Sequence, residues 1–350
     1  MTTTLHPTVE PSYARARAGV LEAIGDTPLI ELERYLRPAS DARLWLKLES
    51  ANPGGSAKDR PAAAMLREAL ADGRLGRGGT VVESSSGNMG IGLAQACRFY
   101  GLRFICVVDL RTSPEKIATM RAFGAEVEIV TEPDPLCGDL LSTRIARVAR
   151  LCSEVPGAFW PDQYENPANP ASHAAGTMQE VLDVLGPGLD AVFVATSTAG
   201  TIAGCERCLA EVGSEAELIA VDAEGSALFG GASAPRSLPG LGAGIETGIS
   251  RGVRPDAVLR IGAADSVIGC RRLVDREAIL AGASTGAVMA AIERFAPRLG
   301  AGARIAAIAP DGGGSYLSTV YDDGWVESEL GLRPDQVEAA VASPAGFASA

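Results

Sequence analysis

Amine and imidazole side chains are the scarcest groups in this 350-residue sequence, which holds three lysines (Lys47, Lys58, Lys116) and two histidines (His6, His173). Chemistry that needs either group therefore has very few candidates. Positive charge is also short: 31 basic residues face 43 acidic ones, for a net charge of -12, which argues against a general binder of nucleic acid or an anionic membrane, since either would need a basic face. No apolar run approaches the roughly 18 residues of a membrane span. The segment Met1–Glu10 lacks the basic start and apolar run of a secretory leader. The seven cysteines (Cys97, Cys106, Cys137, Cys152, Cys205, Cys208, Cys270) are scattered through apolar segments in an odd set, the pattern of reduced thiols in a cytoplasmic protein. Cys205 and Cys208 have no second pair with which to complete a zinc site, so no metal is expected.

What is present is apolar material, 47 % of the chain, enough for buried cores in about two domains at roughly 150 residues each. Short β-branched runs alternate with helix-period segments, the pattern of parallel sheets flanked by helices. The spacing predicts strands at Leu44–Leu48, Thr80–Glu83, Phe104–Val108, Glu126–Val130, Asp190–Ala195, Glu217–Asp222 and Arg304–Ala309. Helices are predicted at Pro61–Ala71, Gly87–Tyr100, Ser113–Phe123, Asp139–Cys152, Ala171–Leu185 and Ile202–Val212. The proline-rich stretch Pro161–Pro170 divides the chain into an arm (1–20), a first α/β domain (21–160, whose 21–50 could pack on the second), a second α/β domain (161–326) and a peripheral tail (327–350). Phe229–Arg254 is too rich in glycine and proline for one element and reads as a functional loop.

Three strand-to-helix junctions carry small polar residues where parallel α/β sheets place ligands: Ser84–Gly90, Thr196–Thr201 and Gly282–Gly286. Free amides and hydroxyls at a helix start suit a phosphate or carboxylate. No nucleotide-type G-x-x-x-x-G-K-[ST] is present, and Gly87–Gly92 has the wrong spacing for a dinucleotide fingerprint. Gly282–Gly286 matches G-x-S-x-G, yet no histidine follows Ser284 to serve a hydrolase. Lys58 stands just before a helix, where a cation gains nothing from the helix dipole. An amine there, close to a phosphate loop, is placed to form a Schiff base with pyridoxal phosphate.

Asn52–Arg60, Ser84–Gly90, Ser197–Thr201, Gly240–Gly244 and Ala283–Gly286, in this order, resemble the cysteine synthase branch of the fold-type II pyridoxal-phosphate enzymes over roughly Ile24 to Thr319. The resemblance implies two open α/β domains with mainly parallel sheets and the cofactor between them. It implies a Schiff base on Lys58, the cofactor phosphate on Ser197, Thr198, Ala199, Gly200 and Thr201, Asn88 at the ring hydroxyl, and Ser284 at the pyridine nitrogen. The substrate carboxylate would settle on Ser85, Ser86, Gly87 and Met89, and Gly240 would line the mouth of the site. Met89 departs from the threonine of cysteine synthases.

Glu83–Gly90, Phe104–Asp109, Gln163–Asn166 and Arg236–Gly242 look more like the 2,3-diaminopropionate-pathway synthases of siderophore and antibiotic biosynthesis. Those join O-phospho-L-serine to L-glutamate by β-replacement, and positions matching Arg144, Tyr164 and Ser197 are tied there to phosphoserine recognition. Gln163, Arg236 and Gly240 complete the expected substrate set, although Arg144 could equally lie on a solvated helix face and Arg236 be an ordinary loop arginine. Lys47 and Lys116 lie outside any ligand loop. The resemblance further implies a homodimer. The alternatives are a cysteine or S-sulfocysteine synthase on the same chemistry, and a non-catalytic binding protein on the same scaffold.

Overall fold

The computed structural model describes residues 16–37, 40–133 and 140–343. Most of the expected arm, Cys137, Asp139 and the last seven residues of the tail lie outside them.

The order of elements is β1 (Leu29–Leu32), β2 (Arg43–Leu48), α1 (Asp59–Ala71), β3 (Thr80–Ser84), α2 (Asn88–Tyr100), β4 (Arg103–Asp109), α3 (Pro114–Ala122), β5 (Glu126–Val130) and α4 (Leu140–Glu154). Next come α5 (Ala168–Ser172), a wide π turn (His173–Met178), α6 (Gln179–Leu185), β6 (Ala191–Ala195), α7 (Gly200–Glu211), β7 (Glu217–Ala223), α8 (Gly248–Gly252) and β8 (Ala257–Ile261). The described chain closes with α9 (Ala263–Glu277), α10 (Ala283–Phe295), β9 (Arg304–Ala309), α11 (Asp323–Leu330) and α12 (Pro334–Ala342).

Two sheets result. The smaller, β3-β4-β5, is wholly parallel; the larger runs β1-β2-β9-β6-β7-β8 and is parallel except for the β1/β2 pair. Residues Leu29–Leu48 thus extend the sheet built mainly from the C-terminal half. Central β4 is buried continuously from Phe104 to Asp109, because helices cover both faces of a parallel sheet. Edge strand β5 instead shows Glu126 and Ile129 to solvent, and the acid blunts the open edge. Leu44, Leu46, Phe193, Ile305 and Phe295 share one core, with the Phe193 and Phe295 rings edge to face at 5.5 Å. Met65, Leu66, Leu93 and Phe104 share a second.

Local chemistry explains several boundaries. Ser113 caps α3 by accepting from the Lys116 amide at 3.4 Å, with Pro114 at the first helical position. Gly101 ends α2 in the left-handed region. The single helix expected over Ala171–Leu185 is instead interrupted by the π turn. A Cβ on Gly176 would stand 2.5 Å from Arg60 Nη1, so the turn opens where a guanidinium from α1 is packed against it. The expected tail from Glu327 forms the end of α11 and α12, which bury Val326 and Val337, and Arg272 of α9 donates to the carbonyls of Ala340 and Val341. Among the described residues no helix is long and apolar enough to cross a membrane, and no cluster of three or more His, Cys, Asp or Glu could hold a metal ion.

Candidate active site

The first wall of the site is built around Lys58. Gly55, with φ +85°, turns the chain so that Lys58 becomes the cap residue of α1, its amide donating to Ser56 Oγ at 3.2 Å. Two residues on, Arg60 binds Glu49 through Nε (2.7 Å) and Nη2 (2.8 Å), and Glu180 through Nη1 (2.7 Å) and Nη2 (2.8 Å). Lys47 closes the network on Glu180 at 2.6 Å, and Thr27 and Asn52 donate to Glu49 at 2.8 and 3.0 Å. Two cations thus meet two carboxylates in a nearly dry position, which fixes the turn that carries Lys58. Burial pulls the half-buried Lys58 amine below its ordinary pKa, while Asp311 and Glu49 oppose that shift.

Two loops leave backbone amides without partners. Among the described residues no acceptor meets the amides of Ser86, Asn88 and Met89, at the junction of β3 and α2. The same holds for Ser197, Thr198, Ala199 and Thr201, between β6 and α7. Ala199 adopts φ +66°, a left-handed conformation that costs a non-glycine residue about 1 kcal/mol and turns successive amides toward one point. Gly200 admits no side chain, since a Cβ would lie 2.0 Å from Asn169 Oδ1. The Ser85 amide, expected among the donors to the substrate carboxylate, is instead taken by the Val107 carbonyl at 3.1 Å, and the Ser85 hydroxyl is turned into its own loop, accepting from Gly87 (3.3 Å) and Gly90 (2.9 Å). Buried His173 sits between Thr177 (2.9 Å) and Thr201 (3.3 Å), and burial, with Lys58 and Arg60 adding to it, keeps the ring neutral.

Asp311, which sequence reasoning missed, joins the two sheets. It follows β9, pairs with Ser56 in an isolated antiparallel bridge, and accepts through Oδ2 from Asn88 Nδ2 (2.8 Å) and the Tyr316 hydroxyl (2.9 Å). A Cβ on Gly282 would fall 1.9 Å from Asp311 Oδ1, so only glycine fits before α10. Ser284, buried in the first turn of α10, makes no side-chain hydrogen bond among the described residues. The signal for Asp311 was its place at the carboxyl end of a parallel strand, the same rule that singled out the glycine-rich loops.

The other expected residues are distributed unevenly. Arg144 is buried, not on a solvated helix face: its Nε stands 3.2 Å from Asp109 Oδ2 at the end of β4. Gln163 is pinned by Nε2 to the Ser84 carbonyl at 2.9 Å, which brings half-buried Tyr164 beside the first loop. Arg236 donates to the Gly225 carbonyl at 2.7 Å and braces the long loop. That loop reaches the site, since a Cβ on Gly240 would come within 3.7 Å of the Tyr316 hydroxyl, and the Gly242 amide donates to Thr196 O at 2.7 Å. Lys47 stands on β2 and Lys116 on α3, outside the ligand loops, but both are buried. Lys47 belongs to the network under Lys58, and Lys116 is buried with Nζ 5.7 Å from the Tyr316 ring centre.

Glu83, beneath the first loop, accepts from the amides of Ser84 (2.7 Å) and Gln163 (3.2 Å) and from Trp160 Nε1 (3.2 Å). Burial outweighs these donors and pushes its pKa to about 7. The folded chain then holds a proton that the unfolded chain releases near pH 4.5, so this contribution is complete below that pH and is lost as pH rises through about 7. Up to about 3 kcal/mol is at stake. Urea midpoints at pH 5 and pH 8 should show the loss, and Glu83→Gln should flatten it; an unchanged slope in that variant would count against the assignment.

The site's parts, a half-buried lysine, two acceptor-free amide loops at helix starts and a free serine hydroxyl, define a cleft for a phosphorylated carbonyl cofactor. The chain belongs to the pyridoxal-phosphate dependent enzymes, whose family pattern matches residues 20–311. It is 42 % identical over 307 residues to the N-(2-amino-2-carboxyethyl)-L-glutamate synthase of Ralstonia nicotianae, covering 88 % of this chain and 90 % of that protein. Among solved structures it is similar to the O-acetylserine dependent cystathionine beta-synthase of Helicobacter pylori (TM-score 0.81, 31 % identity, 87 % of this chain and 98 % of that one). It is also similar to the O-acetylserine sulfhydrylase isoform 3 of Entamoeba histolytica (TM-score 0.82, 30 % identity, 96 % and 98 %).

Pyridoxal phosphate fits the residues present. Four amides without acceptors suit its phosphate, and the unbonded Ser284 hydroxyl suits its ring nitrogen. Bound there, it supplies an electron sink for bond breaking at the carbons of an amino acid.

Proposed function

We propose that this chain catalyses β-replacement between O-phospho-L-serine and L-glutamate, giving N-(2-amino-2-carboxyethyl)-L-glutamate and phosphate. The Cβ–O bond of phosphoserine breaks and a bond from Cβ to the glutamate nitrogen forms. The observation that carries the reading is the pair of acceptor-free amide loops in a cleft with Lys58, one seat for the cofactor phosphate and one for a substrate carboxylate. The activity for which the Ralstonia relative is named supports the choice of product.

In this reading Lys58 binds the cofactor and, once displaced by substrate, takes the Cα proton and later returns it, a task its lowered pKa favours. Ser86, Gly87 and Met89 hold the substrate carboxylate, and Asn88 faces the cofactor ring while Asp311 fixes its amide. Arg144, with Tyr164 and Ser197, recognises the phosphate of phosphoserine. The loop carrying Arg236 and Gly240 covers the mouth and limits water. The family resemblance adds a homodimer, and the unpaired thiols a cytoplasmic setting.

The test supplies purified holoenzyme with phosphoserine and, in turn, glutamate, sulfide or thiosulfate, and identifies products by mass. Glutamate should give the adduct and release phosphate. A product with sulfide or thiosulfate alone would make the enzyme a cysteine or S-sulfocysteine synthase, and no phosphate release with any of them would leave a binding protein. Arg144→Ala should raise KM for phosphoserine at least about tenfold, the worth of about 1.4 kcal/mol, and leave KM for glutamate within twofold. Equal changes in the two constants would count against this role.

A further inference from the structure

Lys116 is a cation in the wrong place for every structural purpose the fold offers. Its side chain is only 5 % exposed, and it stands in the first turn of α3, next to the positive end of that helix. Four residues on, and so on the same helix face, Met120 packs against α2, with Sδ 2.6 Å from the position a Cβ on Gly90 would take. That face therefore points toward the loop at the start of α2, where three amides have no acceptor.

Among the described residues Nζ forms no hydrogen bond and no ion pair. Its one close partner is the face of Tyr316, at 5.7 Å from the ring centre. A desolvated contact of this kind offsets only part of the cost of burying an unpaired ammonium. Asp311 is the carboxylate that acts on Lys116, but from beyond ion-pair distance, and its Oδ2 is already taken by Asn88 and Tyr316. Asp311 Oδ1 has no hydrogen-bond partner either, and no described group meets Nζ at ion-pair distance.

We propose that Lys116 is an anion-binding residue of the cleft, seating an oxyanion carried by one of the two acidic substrates, either the phosphate of phosphoserine or a side-chain or α-carboxylate of glutamate. This deepens the reading given under Proposed function, and rests on it for the identity of the substrates. It gives two anions entering a chain of net charge -12 a specific cation beside Tyr316.

The experiment uses holoenzyme whose cofactor absorbance certifies that the site is assembled. Inorganic phosphate and L-glutamate are titrated separately into wild type, Lys116→Met, Lys116→Gln and Lys116→Arg, followed by calorimetry, and KM is measured for each substrate. In wild type at least one anion should bind; the two neutral variants should weaken that anion tenfold or more and raise the matching KM similarly, with kcat within threefold, and Lys116→Arg should recover most of the affinity. Loss confined to phosphate and phosphoserine assigns the phosphate as occupant, and loss confined to glutamate assigns its carboxylate. Binding of neither anion to wild type, unchanged constants in loaded neutral variants, or equal losses for both anions would overturn the proposal. If wild type binds an anion through Lys116 but makes no product from phosphoserine and glutamate, the proposed function falls while this site stands.

Discussion

Lys58→Ala should abolish turnover and remove the visible Schiff-base absorbance, while the purified variant keeps its fold and still takes up pyridoxal phosphate through the amides of Ser197–Thr201. The loss should exceed about a thousandfold, because general acid–base catalysis alone is worth about two to four orders of magnitude and the covalent anchor is lost with it. Among the described residues no other lysine or histidine is placed to take over. Lys47 is tied to Glu180 at 2.6 Å, Lys116 points at the Tyr316 ring, and His173 is neutral and enclosed between Thr177 and Thr201. Added small amines that fit the space left by the side chain should restore part of the rate in proportion to their basicity. The variant is checked by its spectrum, its product yield by mass and its circular dichroism. If it retained both colour and turnover, the assignment of Lys58 would be wrong.

The glycine-rich loops were legible because their signal is local. Small polar residues directly after an apolar run, as at Ser84–Gly90 and Thr196–Thr201, are enough to place a turn, a helix start and free amides. Capping at Ser113 was legible for the same reason. What escaped depends on residues far apart in sequence. Strand β8, at the edge of the larger sheet, is a five-residue apolar run broken by Arg260, too short to be told from the preceding loop by spacing alone, and neither it nor α9 behind it is predicted. The π turn at His173–Met178 lies where Arg60, more than a hundred residues earlier in the chain, packs against Gly176. Asp311 reads as an ordinary turn residue until Asn88, from the other sheet, is seen to donate to it. Lys116 lies on a helix rich in polar residues, where only tertiary packing reveals that it is enclosed. Arg144 was named as a candidate, but its burial beside Asp109 could not be told from a solvated helix face by spacing alone.

Arg60→Met should destabilise the protein by about 3–5 kcal/mol, the cost of leaving a buried carboxylate without its partner. Arg60 has 5 % of its side chain exposed and Glu49 none, and together with Glu180 and Lys47 they form two positive and two negative charges. Removing the guanidinium leaves Lys47 alone against both acids. Burial would drive Glu180 upward, yet Arg60 and Lys47 hold its pKa at about 2. Its contribution is therefore present above about pH 4.5 and is lost as pH falls through about 2. In the variant Glu180 loses most of that restraint, so the difference between the two proteins should be large at pH 7 and shrink toward pH 3. Adding Glu49→Gln and Glu180→Gln to Arg60→Met should recover a substantial part of the loss at pH 7, because it removes the stranded charges instead of restoring the pair. Urea denaturation of the three proteins at pH 3 and pH 7 separates these effects. A loss below about 1 kcal/mol for the single variant, or no recovery in the triple one, would show that water relieves the network. The same measurement bears on catalysis, since Arg60 lies two residues from Lys58 on α1 and also touches the π turn that presents His173 to Thr201. A variant that stays folded but holds the cofactor more weakly would show that this buried ion network sets the position of the Schiff-base lysine relative to the phosphate loop.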